Sequence, residues 1–169
     1  MKTAPALYPF FQRGTYIFMK QLLFTYETHT PMETEQAGAA FAAYLLKHDG
    51  GGAFIAMYGD LGAGKTAFVR GAAHVIAPNA HVQSPTYTVV NEYHSEKGLL
   101  FHFDMYRIDD EDSLDSIGYW DYLSRGGFCF VEWSEKIPFA LPDVYYRLEI
   151  RKDTDNTEKR TITIQKELS

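Results

Sequence analysis

Short apolar runs bounded by glycine, proline and polar clusters alternate along this chain with stretches of helical period, the pattern of strands laid between helices. Gln21-Leu22-Leu23-Phe24-Thr25-Tyr26 predicts a first strand. Residues 34–47, opening on Thr34 and Glu35 and rich in alanine, predict a helix that Gly50-Gly51-Gly52 ends. Ala53-Phe54-Ile55-Ala56-Met57-Tyr58 is almost wholly apolar, as expected of a strand covered on both faces. Residues 65–76 predict a second helix, stopped by Pro78-Asn79. After the bend Ser84-Pro85-Thr86-Tyr87, residues 88–93 and 99–103 predict a hairpin around the polar loop 94–98. Residues 109–124 begin acidic and carry Leu114, Ile117, Tyr119, Tyr122 and Leu123, which predicts one helical segment with Gly118 as its weak point. Residues 128–133 return to strand, and 145–151 and 161–165 alternate around a polar stretch, predicting a closing antiparallel pair.

Composition narrows the class. A chain of 169 residues fits one domain with its own core. Its 46% hydrophobic and 22% charged content is that of a globular protein and excludes disorder. Twenty-two acidic against 16 basic residues leave a formal charge of -6, so the surface repels phosphate backbones and any nucleic acid is expected to be held by a partner. No stretch approaches the roughly 18 apolar residues of a membrane span. Pro5 and Pro9 break the N-terminal apolar residues and no small-residue cleavage site follows, so a cytoplasmic protein is expected. The lone Cys129, inside Gly127-Phe128-Cys129-Phe130-Val131, reads as a buried strand thiol in a reduced compartment. The six histidines show no metal-ligand spacing and read as structural or surface residues.

The chemistry concentrates in Gly59-Asp60-Leu61-Gly62-Ala63-Gly64-Lys65-Thr66, which directly follows the apolar strand and opens a helix. Its glycines let backbone amides wrap a polyphosphate where side chains would block the approach. Lys65 brings a cation to the β and γ phosphates, Thr66 offers a hydroxyl to Mg²⁺, and the helix presents its positive end to the same anion. Ala67 and, from the earlier helix, Thr34 complete the expected nucleotide contacts. Asp104 ends one apolar strand, where a second acid would orient Mg²⁺, and Glu132 ends another, where it would position water or metal. Trp133 either packs on the nucleotide or belongs to the core. Thr86, in the proline bend, stands where a γ-phosphate or Mg²⁺ sensor would, although turn chemistry alone also explains Ser-Pro-Thr. The order of strand, glycine-rich loop and helix predicts an α/β P-loop protein with an antiparallel C-terminal pair. Residues 21–169 form the expected P-loop ATPase domain, and 1–20 an N-terminal extension of uncertain order.

Four segments together resemble the TsaE family, formerly called YjeE: the phosphate loop, Ser84-Pro85-Thr86-Tyr87, His102-Phe103-Asp104-Met105-Tyr106-Arg107, and Val131-Glu132-Trp133-Ser134-Glu135. Their joint occurrence in this order is much more specific than the loop alone, and the resemblance spans roughly residues 22–150. It implies a three-layer P-loop NTPase fold with a mixed, mostly parallel sheet flanked by helices. It also implies an ATPase using Mg²⁺ that works with the proteins TsaD and TsaB, which install threonylcarbamoyl on adenosine 37 of tRNAs. Turnover would reset that complex, with tRNA contacted only through the partners. The resemblance implies phosphate contact for Lys65, Mg²⁺ service for Thr66 and Asp104, γ-phosphate sensing for Thr86, assistance to hydrolysis for Glu132, and a place near the nucleotide for Trp133. Tyr87 and Ser134 depart from the residues usual in the family, Phe and Pro.

Two other classes share the phosphate loop. A small-molecule kinase clamps the moving phosphoryl with lid arginines, whereas the lid region here, Asp109-Asp110-Glu111-Asp112, is acidic and Arg125 is its only arginine. A nucleotide-binding adaptor would hold ATP without turning it over. A GTPase lacks support, because no N-K-x-D segment is present and Asp104 is followed by Met-Tyr-Arg.

Overall fold

The computed structural model describes residues 19–168, which run β1 (Met19–Thr28), α1 (Pro31–His48), β2 (Gly52–Tyr58), α2 (Lys65–Ile76), β3 (Val90–Ser95), β4 (Gly98–Asp104), α3 (Glu111–Ser116), α4 (Tyr119–Ser124), β5 (Gly127–Glu132), β6 (Val144–Lys152) and β7 (Arg160–Leu168). The expected extension 1–20 lies outside these residues apart from Met19 and Lys20, which belong to β1.

One seven-stranded sheet, ordered β1-β7-β6-β2-β5-β4-β3, carries the fold. The apolar strand β2 is buried because it lies at the centre, parallel to β5 on one side and β6 on the other. β4 continues the parallel core beside β5. Antiparallel pairing is confined to the flanks: β3 on β4, β7 on β6, and β1 on β7 with a bulge between Leu22 and Phe24. The mixed sheet and its closing pair therefore stand as expected, and β1 adds a third antiparallel strand.

Helices cover both faces of this sheet. On one face α1 and α2 bury Phe41, Leu45, Phe68, Val69 and Ile76 against Ile55, Met57, Leu100, Phe128 and Phe130. On the other, α3 and α4 set Leu114 and Tyr119 against Phe101, Phe103, Cys129 and Val131. Each such large side chain removed from water contributes roughly 1.5–3 kcal/mol. Among the described residues no helix is long and apolar enough to cross a membrane.

The two main helices touch at backbone distance. A Cβ on Gly71 would lie 1.8 Å from the Glu35 carbonyl oxygen, and one on Gly38 2.1 Å from that of Phe68. Arg70 braces the same contact by donating to Glu35 at 2.6 Å. This close approach sets the depth of α2 over the sheet and hence the position of its first residue, Lys65.

Local chemistry explains where the elements depart from expectation. α1 starts earlier than residue 34 because Thr30 caps it, accepting from the Glu33 amide at 3.1 Å, and Pro31 follows. Thr34 therefore sits inside the helix, its hydroxyl donating to the Thr30 carbonyl. Residues 109–124 form two short helices, because Gly118 at φ 69° turns the chain between them.

Candidate nucleotide site

The sheet delivers its functional residues to one edge. Gly59–Thr66 leaves the C-terminal end of β2 and enters α2. Gly59 adopts φ 136°, and a Cβ there would lie 2.4 Å from the Ile150 carbonyl oxygen, so β6 packs against the start of the loop and leaves room only for glycine. Gly64, at φ 112°, is the N-cap of α2 and supplies no side-chain bond to the first turn. The amides of that turn are thus available to an anion, which the helix dipole favours.

Lys65 is buried, and its ammonium donates to the carbonyls of Gly59 at 2.5 Å and Asp60 at 3.2 Å. It also lies 4.1 Å from the centroid of the Trp133 ring. Burial lowers its pKa, while the charges of Glu132, Glu135, Asp104 and Asp60 pull it back upward.

Strand register brings the two carboxylates together. Asp104 and Glu132 are partners at the ends of β4 and β5, on the sheet face that α2 covers, and both are buried. Each holds a threonine hydroxyl: Thr66 donates to Glu132 Oε1 at 2.8 Å, and Thr86 donates to Asp104 Oδ2 at 2.8 Å. With their protons committed to carboxylates, both hydroxyl oxygens keep lone pairs for a cation or its water. Asp104 Oδ1 accepts the Tyr106 amide at 3.0 Å, which fixes the following loop. Trp133, at φ 61°, is the left-handed step between β5 and a 3-10 turn at Ser134–Lys136, and Ser134 anchors the bend by donating to the Val131 carbonyl at 2.8 Å.

A cavity of about 220 Å³ opens among these groups, lined by Leu61, Gly62, Ala63, Gly64, Lys65, Thr66, Ser84, Thr86, Asp104, Glu132 and Trp133. Most residues expected to contact nucleotide therefore meet in one place. Gly59 and Asp60 lie beneath it as acceptors for Lys65, and Ala67 follows in α2. Thr34 is a correction: it is buried behind the loop, its hydroxyl 3.0 Å from that of Thr28 and its methyl packed toward Gly64, and it does not line the cavity. Two residues quoted in the sequence motifs were given no role at the site. Ser84 lies 2.8 Å from the Thr86 hydroxyl, and His102 sits 2.8 Å from Glu132. The i, i+2 spacing of His102 and Asp104 along one strand was the available signal for the second.

Among the described residues no arginine lines the cavity. Arg125 is held by the Glu92 carboxylate, and Arg107 stacks 5.1 Å from the Tyr87 ring centroid.

Relatives share the chain over most of its length. The sequence model of the family "Threonylcarbamoyl adenosine biosynthesis protein TsaE" matches residues 28–162. The chain belongs to the TsaE family. A tRNA threonylcarbamoyladenosine biosynthesis protein TsaE from Haemophilus influenzae is 40% identical over 124 residues, covering 72% of this chain and 78% of that protein. Its counterpart from Bacillus subtilis is 34% identical over 145 residues, covering 86% and 87%. The crystal structure of Bacillus subtilis YdiB superposes with a TM-score of 0.65 at 28% identity, covering 89% of this chain and 88% of that one.

The donor set of this TsaE-family site consists of hard oxygens, a threonine hydroxyl and two carboxylates, beside a cradle of amides and one lysine. That combination fits a small divalent cation such as Mg²⁺ shared with phosphate oxygens.

Proposed function

We propose that this chain takes part in tRNA threonylcarbamoyladenosine biosynthesis as an ATPase, binding ATP with Mg²⁺ in the cavity above α2 and hydrolysing it. The observation that carries this reading is the convergence of Thr66, Asp104 and Glu132 beside the phosphate loop, joined by the 2.8 Å bond from Thr66 to Glu132.

The loop amides and Lys65 bind and orient the triphosphate. Thr66, Asp104 and Glu132 supply the oxygens that would hold Mg²⁺, which when bound offsets the charge of the β and γ phosphates. Thr86, tied to Asp104, stands where it senses the γ-phosphate. Glu132 aligns a water for attack on the γ-phosphorus and accepts its proton, the bond to the bridging oxygen breaks, and ADP and phosphate leave. Trp133 closes one wall against bulk water.

The absence of arginine from the lining described above weighs against transfer to a small-molecule acceptor. Hydrolysis by the isolated chain is accordingly slow, and the partners TsaD and TsaB raise it; ATP turnover resets their complex. The acidic surface leaves tRNA to those partners, in the cytoplasm.

The test is phosphate release from ATP and Mg²⁺ by the purified chain, alone and with the TsaB–TsaD pair. Slow release alone and faster release with the pair is expected. Tight ATP binding with no release in either setting would make the chain a non-hydrolysing adaptor.

A further inference from the structure

We propose that His102 is a positioning residue, its ring and the Thr66 hydroxyl together clamping one oxygen of Glu132 in the orientation that serves the cavity. The proposal rests on the hydrolytic reading of the site.

The His102 ring, on β4, is fully buried. Its Nε2 lies 2.8 Å from Glu132 Oε1, and a carboxylate can only accept, so Nε2 carries the hydrogen and donates it. Nδ1 is buried and has no hydrogen-bond partner among the described residues. Among the described residues the ring thus has one polar contact, and in the neutral ring that contact settles the tautomer.

Packing does not account for a histidine here. The side chains around it on this face of the sheet include Leu100, Phe128 and Phe130, and His102 pairs in register with Phe130. A leucine would fill comparable space without burying a bare nitrogen, which costs desolvation energy. What the imidazole adds is reach: from one step back along β4 it crosses diagonally to Glu132, whose own register partner is Asp104.

Thr66 donates to the same Oε1 from α2 at 2.8 Å. Two donors from different elements converge on one oxygen, so rotation of the Glu132 side chain breaks both bonds. The second oxygen makes none of the described hydrogen bonds and is left for water or cation. Outer partners of this kind orient a working carboxylate without touching substrate.

The test uses the full chain with the TsaB–TsaD pair and two substitutions, His102→Leu, which removes the donor, and His102→Gln, whose amide nitrogen occupies the Nε2 position. The Leu variant is expected to bind a nonhydrolysable ATP analogue and to keep KM within about threefold, while kcat falls about 10–100-fold. Gln is expected to restore most of kcat. If Leu fails to fold, His102→Asn, too short to reach Oε1, takes its place. A second readout needs no turnover: ¹⁵N spectra of the free chain should show His102 as the Nε2–H tautomer, its ring proton protected from exchange and shifted in Glu132→Gln. An Nδ1–H tautomer, an unchanged kcat in the Leu variant, or a kcat loss that Gln does not repair and that tracks lost thermal stability would overturn the clamp alone. No turnover in the unaltered chain, with or without partners, would overturn the hydrolytic reading and the clamp's role with it.

Discussion

The Lys65 ammonium rests 4.1 Å from the centre of the Trp133 ring while it donates to the carbonyls of its own loop. A triphosphate in the cavity competes for the same cation, so binding should draw Lys65 away and change the emission of Trp133. Trp120, more exposed and bonded to Asp115, stands outside the cavity and serves as the control. A nonhydrolysable ATP analogue with Mg²⁺ should alter fluorescence in the unaltered chain and in Trp120→Phe, and leave it unchanged in Trp133→Phe.

Among the described residues Lys65 is the one lysine that lines the cavity, and Lys65→Ala removes it. Turnover should fall by about 10²–10³-fold, the scale of losing one charge-stabilising donor at a transition state. Steady-state phosphate release at the rate of the unaltered chain would contradict the assignment of the loop.

Glu132→Ala should separate binding from chemistry. The loop amides and Lys65 remain, so titration with the ATP analogue should give an affinity close to the original while hydrolysis is lost. Collapse of binding would mean that Glu132 serves chiefly as a metal anchor or a structural brace for Thr66.

Gly71→Ala addresses the fold rather than the site. The added methyl would meet the Glu35 carbonyl oxygen at 1.8 Å, so α1 and α2 must separate. Overpacking of this kind costs about 1–3 kcal/mol. Thermal unfolding should show a Tm lower by roughly 2–4 °C for each kcal/mol lost.

Burial moves the Cys129 thiol from an ordinary pKa of 9.0 up to about 12. The folded value exceeds the unfolded one, so this group's contribution to stability is whole below pH 9 and fades as pH climbs toward 12. Native protein at pH 8 should therefore resist a thiol-directed reagent, and labelling should proceed at the rate of opening. Rapid labelling without unfolding would contradict the buried placement.

Local chemistry made much of the site legible. The glycine-rich loop could be read as a candidate phosphate site because its glycines, lysine and threonine act through their immediate neighbours, and α2 begins at Lys65 and ends at Ile76 as its pattern indicates. Asp104 and Glu132 could be named because each closes an apolar run. Their adjacency could not, since it arises from the register of strands whose order differs from their order in the chain. His102 was lost for the same reason, its partner lying 30 residues away. Thr34 was misplaced because the capping signal belongs to Thr30, which stands before a proline. The close contact between Gly71 and α1 is likewise a property of two helices and of neither alone.

The order of strands in the sheet carries a consequence for biosynthesis. Both neighbours of β2 come from later in the chain, and β1 must wait for β7, the last strand of the sheet. On the ribosome, the phosphate loop therefore emerges before the strands that seat it exist, and Gly59 meets the Ile150 carbonyl only after β6 has been made. The seat of the loop against β6 is therefore completed late in synthesis, after Ile150 has been added.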